Sequence, residues 1–170
     1  EGYLDLVMVL ADRFPLTPQV RDRVAQRAID TLDRLGRKNS RAHQLYLRGQ
    51  AYQIMERYPD AIEVLEEAAG VEPENIHVWL ALGWCHKRVS RLDLAIQSLE
   101  EALVVDASEA IIHYNLACYW SLARNVKLAL SYLSKAFDID PNFRDLVADE
   151  TDFDPIRSDP DFQALTSVIV

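Results

Sequence analysis

The residues of this chain that could do chemistry are four histidines, two cysteines, paired glutamates and an aspartate-rich tail. His43, His77, His86 and His113, with Cys85 and Cys118, are the donor types of a zinc site. No H-x-x-x-H or C-x-x-C spacing, however, sets two of them on one helical face. His43 and His77 lie 34 residues apart, a repeat period that puts them on successive units, too distant to share an ion. Asp152-x-Asp154 opens like a calcium loop, but Ile156 fills the next ligand place, and the turn glycine and closing glutamate are missing. Glu66-Glu67 and Glu100-Glu101 recur at the same period. On an outer helix face they are solvated charges, whereas acid–base work needs a cleft and shifted pKa values. There is no glycine-rich phosphate loop, and no serine or cysteine has a base at recognisable spacing. The reading is of no catalytic residue, no metal and no cofactor, and so not an enzyme.

Bulk composition narrows the classes further. Apolar residues make up 49% of the 170, enough for one compact domain or a short solenoid. No run of 18 apolar residues spans a membrane, and no signal peptide is visible. The first residue is Glu1 rather than methionine, which suggests a processed chain or a piece of a larger one. Two cysteines are too few for a disulfide framework and point to a reducing, cytoplasmic setting. The net charge of −9 is uneven: +2 over residues 1–41, −4 over 42–137 and −7 over 138–170. Such a chain repels phosphate backbones, so nucleic acid and anionic membranes are poor partners.

The elements that must position these residues follow from a recurring template. Trp79, Leu82 and Gly83 sit at W-x-x-L-G spacing, followed by Ala95 and Leu99. Shifted by 34 residues, Leu45, Gly49, Tyr52, Ala61, Leu65, Ala68 and Pro73 fit the same template upstream. Leu116, Ala117, Trp120, Ala129, Leu133, Ala136 and Pro141 fit it downstream. Small residues mark where two helices of a pair cross closely, and large ones fill the space between pairs. One pair cannot bury its apolar face, so pairs stack and the ends need caps. Over Ala42–Phe143 the chain resembles the tetratricopeptide repeat family. The resemblance implies an all-α, right-handed superhelix of three repeats (42–75, 76–109 and 110–143) forming one structural domain.

Turn chemistry sets the helix limits. Gly2–Arg13 is a densely apolar helix, broken by Phe14–Pro18; Thr17 and Pro18 start the next, which ends at Gly36. Residues 1–38 thus form a degenerate first unit and N-terminal cap. Asn39-Ser40, Asn75 and Ser108 cap the first helices of the three repeats. The second helices run over about 60–69, 93–105 and 126–139. Asn142–Asp149 forms a further helix, two Asp-Pro steps start short ones, and Leu165 to Val170 folds back. The run from Ala117-Cys118-Tyr119 through Phe162-Gln163-Ala164-Leu165 resembles the closing segment of many bacterial and organellar members, which implies that residues 144–170 act as a C-terminal cap.

What remains for function is a second face on each first helix, spaced i, i+3, i+7, i+10. It holds His43, Tyr46, Gln50 and Gln53; then His77, Leu80, Trp84 and Lys87; then Ile111, Tyr114, Cys118 and Ser121. The resemblance implies that this face lines a concave groove binding a peptide or helix of another protein. Tyr46, Trp84 and Tyr114 would be its anchors, and Gln50 and Asn115 would bond a peptide backbone. Members that clamp the acidic tails of heat-shock chaperones carry lysine, arginine and asparagine at places here occupied by Tyr46, Gln50, Ala81, Ile111 and Asn115. The missing cations disfavour that ligand. The alternatives are a chaperone for secreted or aggregation-prone clients, and a scaffold self-assembling through the N-terminal helix.

Overall fold

The structure, a computed structural model, describes residues 17–35 and 40–167. The expected Gly2–Arg13 helix, the Gly36 stop, Asn39 and the final three residues lie outside them. Every regular element among the described residues is helical. The α-helices are α1 (Pro18–Leu35), α2 (Arg41–Ile54), α3 (Tyr58–Val71), α4 (Ile76–Arg88), α5 (Leu92–Val105), α6 (Ala110–Leu122), α7 (Val126–Ile139), α8 (Phe143–Leu146) and α9 (Pro160–Thr166). A 3-10 helix, Thr151–Ile156, separates the last two. None is long and apolar enough to cross a membrane.

The side chains that start the helices are mostly those the sequence suggests. Ser40 Oγ accepts from the His43 N–H at 3.1 Å and Asn75 Oδ1 from that of His77 at 3.1 Å, as expected, while Asn125, whose capping role the sequence reading does not give, accepts from Leu128 at 3.2 Å. Ser108 is different. Asp106 captures both its N–H (2.8 Å) and its hydroxyl (2.6 Å), leaving Glu109 as an N-cap without a side-chain bond. The turn inside each repeat carries one residue in the left-handed region: Glu56 (φ 58°), Ser90 (φ 60°) and Arg124 (φ 58°). At the first turn, Arg57 N–H reaches the Tyr52 carbonyl and Glu56 N–H that of Gln53, both at 2.9 Å. Asn125 to Trp120 and Arg124 to Ser121 repeat the pattern at the third turn. These are helix-ending loops of the Schellman type, here made without glycine.

Two compact units, Glu1–Ser90 and Arg91–Val170, divide the chain. In the first, Ala25, Ala28, Ile29 and Leu32 of α1 pack on Leu47 and Ala51 of α2. A second cluster joins Ala61, Leu65, Ala68 and Ala69 of α3 to Val78, Leu82 and Cys85 of α4. Tyr52 packs against both clusters. At Gly49 α2 and α3 cross closely, since a Cβ built there would stand 2.6 Å from Leu65 Cγ. Exposed ion pairs (Arg21–Glu56, Arg48–Asp33, Arg41–Glu67) dress the surface and contribute little to stability.

In the second unit α6 is buried on most sides, as its nearly continuous apolar sequence requires. α7 lays Ala129, Leu133, Ala136 and Phe137 into the core. The C-terminal segment departs from the expected helix over Asn142–Asp149: α8 has only four residues. Arg157 takes over the carbonyls that a longer helix would have satisfied. Its Nη1 donates to Val147 O (3.3 Å), its Nη2 to Glu150 O (2.7 Å) and its Nε to Asp154 Oδ1 (3.0 Å). Asp159 caps α9 ahead of Pro160, as its Asp-Pro step suggests. The earlier step, Asp154-Pro155, lies inside the 3-10 helix instead, where Glu150 does the capping. Phe153 and Phe162 are fully buried with ring centroids 5.5 Å apart.

Candidate functional site

Tyr46, Gln50, Gln53 and Ile54 of α2 face His77, Leu80, Ala81 and Trp84 of α4 across an open, largely apolar cleft of about 510 Å³. Both helices lie in the first unit. The α2 residues stand at i, i+4, i+7 and i+8, and those of α4 at i, i+3, i+4 and i+7, so each set is one helical face. The two helices are tied by Gln53, whose amide nitrogen reaches the Ala81 carbonyl at 3.2 Å and Cys85 Sγ at 3.1 Å. Gln50 donates to the Tyr46 hydroxyl at 3.0 Å, which fixes the phenol on the wall of the cleft.

Trp84 is 38% exposed, unusual for so large an apolar side chain in a folded core. Its ring is held from behind rather than loose. Tyr58 meets it edge-on at 5.5 Å, and the Arg88 guanidinium stands 5.5 Å from the Trp84 ring centre and 5.2 Å from that of Tyr58. Arg88 Nε also donates to the Tyr58 hydroxyl at 3.2 Å. Stacked in this way, the indole loses little further freedom when something covers it. Burial raises the Tyr46 pKa, so the phenol stays neutral and able to donate. Burial pushes the Cys85 thiol up to about 11 against the opposing Gln53 bond, which keeps it un-ionised near neutrality.

Six of the residues singled out in sequence meet here: Tyr46, Gln50, Gln53, His77, Leu80 and Trp84. His43 and Lys87 lie on the same helices but do not line the cleft. Ile111, Tyr114, Asn115 and Cys118 belong to α6, in the second unit. Tyr114, expected as an anchor, is only 4% exposed: Phe143 lies 5.0 Å and Phe153 5.7 Å from its ring. Cys118 is 2% exposed. The chain's own aromatic C-terminal segment has taken the surface that those two were expected to offer. Ile54 and Ala81 were missed because the assumed stripe was too narrow; counting i+8 and i+4 on these helices finds them. Among the described residues one group has metal-ligand chemistry, Cys118 with Glu150 and Asp152, also in the second unit.

Residues 46–108 match the family model described as tetratricopeptide repeat. No curated protein sequence matches the chain. Among solved structures, MamA from Desulfovibrio magneticus RS-1 is 19% identical with a TM-score of 0.62, covering 82% of this chain and 84% of its own. YrrB, described as a TPR protein with an unusual peptide-binding site, is 22% identical with a TM-score of 0.63, covering 72% and 64%. The Yersinia enterocolitica type III secretion translocator chaperone SycD is 25% identical with a TM-score of 0.61, covering 71% and 96%. With the 34-residue period and the helix pairs in agreement, residues 46–108 match tetratricopeptide repeats, and the chain shares its fold with YrrB, a protein described as a TPR protein.

Proposed function

We propose that the α2–α4 cleft binds a short segment of another protein, making this chain a protein-interaction module. The observation that carries the reading is the exposed, pre-positioned Trp84 beside Leu80 and Tyr46 in an open cavity of about 510 Å³. That volume falls within the roughly 300–1,000 Å³ of specific ligand sites. Aromatic anchors of this kind concentrate binding energy. Gln50 keeps its amide oxygen, and His77 its ring nitrogens, for a peptide's polar groups. The net charge of −9 argues against nucleic acid as the ligand, and two buried thiols suit a reducing compartment such as the cytoplasm. The reading includes no catalytic step.

The test is selection from a random peptide display library on the immobilised chain, followed by titration of the selected peptides. Trp84→Ala with Leu80→Ala should weaken them by at least about 30-fold, a hot-spot loss of roughly 2 kcal/mol or more, with helicity retained. Peptides that bind the double variant as tightly as the parent would sink the reading. The likeness to SycD favours a second one, a chaperone for aggregation-prone clients. A chaperone should select apolar peptides without a common register, and an adaptor a defined motif. Self-assembly through residues 1–16 predicts oligomers by sedimentation that dissolve when those residues are deleted.

A further inference from the structure

Within the second unit, α6 and the C-terminal segment bring together donors that no sequence motif announces. Cys118 Sγ and one carboxylate oxygen each of Glu150 and Asp152 all lie within 4.8 Å of one another. Cys118 and Asp152 are buried and Glu150 is half-buried. One helical turn before Cys118 stands Tyr114, 96% buried, whose hydroxyl has no hydrogen-bond partner. The charges of Cys118, Glu150 and Asp152 all act on that hydroxyl, and the i, i+4 spacing puts Tyr114 on the same face of α6 as Cys118. A buried phenol without a partner is costly, and it is the kind of atom that a bound ligand would satisfy.

We propose that Cys118, Glu150 and Asp152 form a site for a divalent cation of the zinc type, with the Tyr114 hydroxyl at the fourth position. A thiolate donor selects borderline metals such as zinc or cobalt over magnesium and calcium, which prefer oxygen alone. Four donors suit tetrahedral coordination; bonds of about 2.0–2.3 Å hold donors about 3–4 Å apart, so a closure of about 1 Å completes the shell. A dication among three anionic ligands leaves one negative charge, and Arg157, whose charge also reaches Tyr114, offsets it. Glu150 Oε1 accepts from the Asp152 N–H at 3.0 Å, and Arg157 holds the Glu150 carbonyl at 2.7 Å. A bound ion would staple the C-terminal segment to α6. Spacing rules miss such a site because its ligands come from elements far apart in the chain.

The experiment uses the full chain, stripped with chelator and titrated with Co²⁺ and then Zn²⁺. One equivalent of cobalt should give a sulfur-to-metal charge-transfer band that zinc abolishes, and zinc should shield Cys118 from alkylation. Cys118→Ser should remove the band and Cys85→Ser should leave it. Glu150→Gln keeps an oxygen that can cap Asp152, yet it should weaken binding by at least about tenfold. That variant decides the matter if Cys118→Ser fails to fold by circular dichroism. No stoichiometric uptake, a band that survives Cys118→Ser, or unchanged affinity in Glu150→Gln each overturns the site.

Discussion

Replacing Gly49 with alanine should destabilise the chain, against the usual effect of that substitution in a helix. The added methyl carbon would stand 2.6 Å from Leu65 Cγ, 2.7 Å from Cδ2 and 3.3 Å from Cδ1. Carbon atoms in good contact sit about 3.5–4.0 Å apart, so two atoms overlap by roughly 1 Å. Leu65 is fully buried, and Cγ is its branch point, so it cannot swing clear without moving the whole side chain. Overpacking of this kind costs about 1–3 kcal/mol, and two overlaps point to the upper half of that range. Alanine returns about 1 kcal/mol through helix propensity. The net prediction is a loss of about 1–2 kcal/mol in urea unfolding. Gly70, in α3 with nothing within 4 Å of its Cβ position, is the control, and alanine there should stabilise by about 0.5–1 kcal/mol. Combining Gly49→Ala with Leu65→Ala should cost less than the sum of the two, because the methyl refills part of the space. If both glycine variants stabilise alike, the close crossing of α2 and α3 is refuted.

Three further outcomes follow from single residues. The Cys85 thiol is pushed up to about 11 by burial, whereas an unfolded thiol titrates near about 8.5. The folded state therefore keeps a proton that the unfolded state loses, and stability falls as pH rises from about 8.5 to 11, by on the order of 3 kcal/mol. Urea melts across that window should show a flatter decline for Cys85→Ala; parallel slopes would count against the buried neutral thiol. Ser121 Oγ is fully buried without a hydrogen-bond partner. Ser121→Ala should therefore stabilise by about 1 kcal/mol in thermal unfolding, and a clear loss would mean that the hydroxyl is satisfied. Arg124 holds φ at 58°, so Arg124→Gly should add about 0.5–1 kcal/mol once the entropy of glycine is subtracted, and a destabilised variant would contradict the turn assignment.

The repeat core was legible because close packing leaves few choices: Ala61, Ala95 and Ala129 are all fully buried, as are Leu65, Leu99 and Leu133. Val126–Ile139 appears with the limits the sequence suggests. The left-handed turn residues were not legible, because Glu56, Ser90 and Arg124 lack the glycine that usually marks such positions. Ser108 misled because local competition from Asp106 has no periodic signature. Six of the eight residues that line the candidate site were readable from helical spacing on α2 and α4. Tyr114 was not, since the segment that covers it, with Phe143 and Phe153, packs through tertiary contacts and lies outside the repeat. The cluster of Cys118 with Glu150 and Asp152 is hidden for the same reason.

The most direct test of the central claim is to place a photoreactive side chain in a selected peptide and map by mass spectrometry where it crosslinks. Adducts are expected on the cleft faces of α2 and α4, at Tyr46, Leu80 and Trp84. Crosslinks confined to residues outside those two helices would contradict the claim.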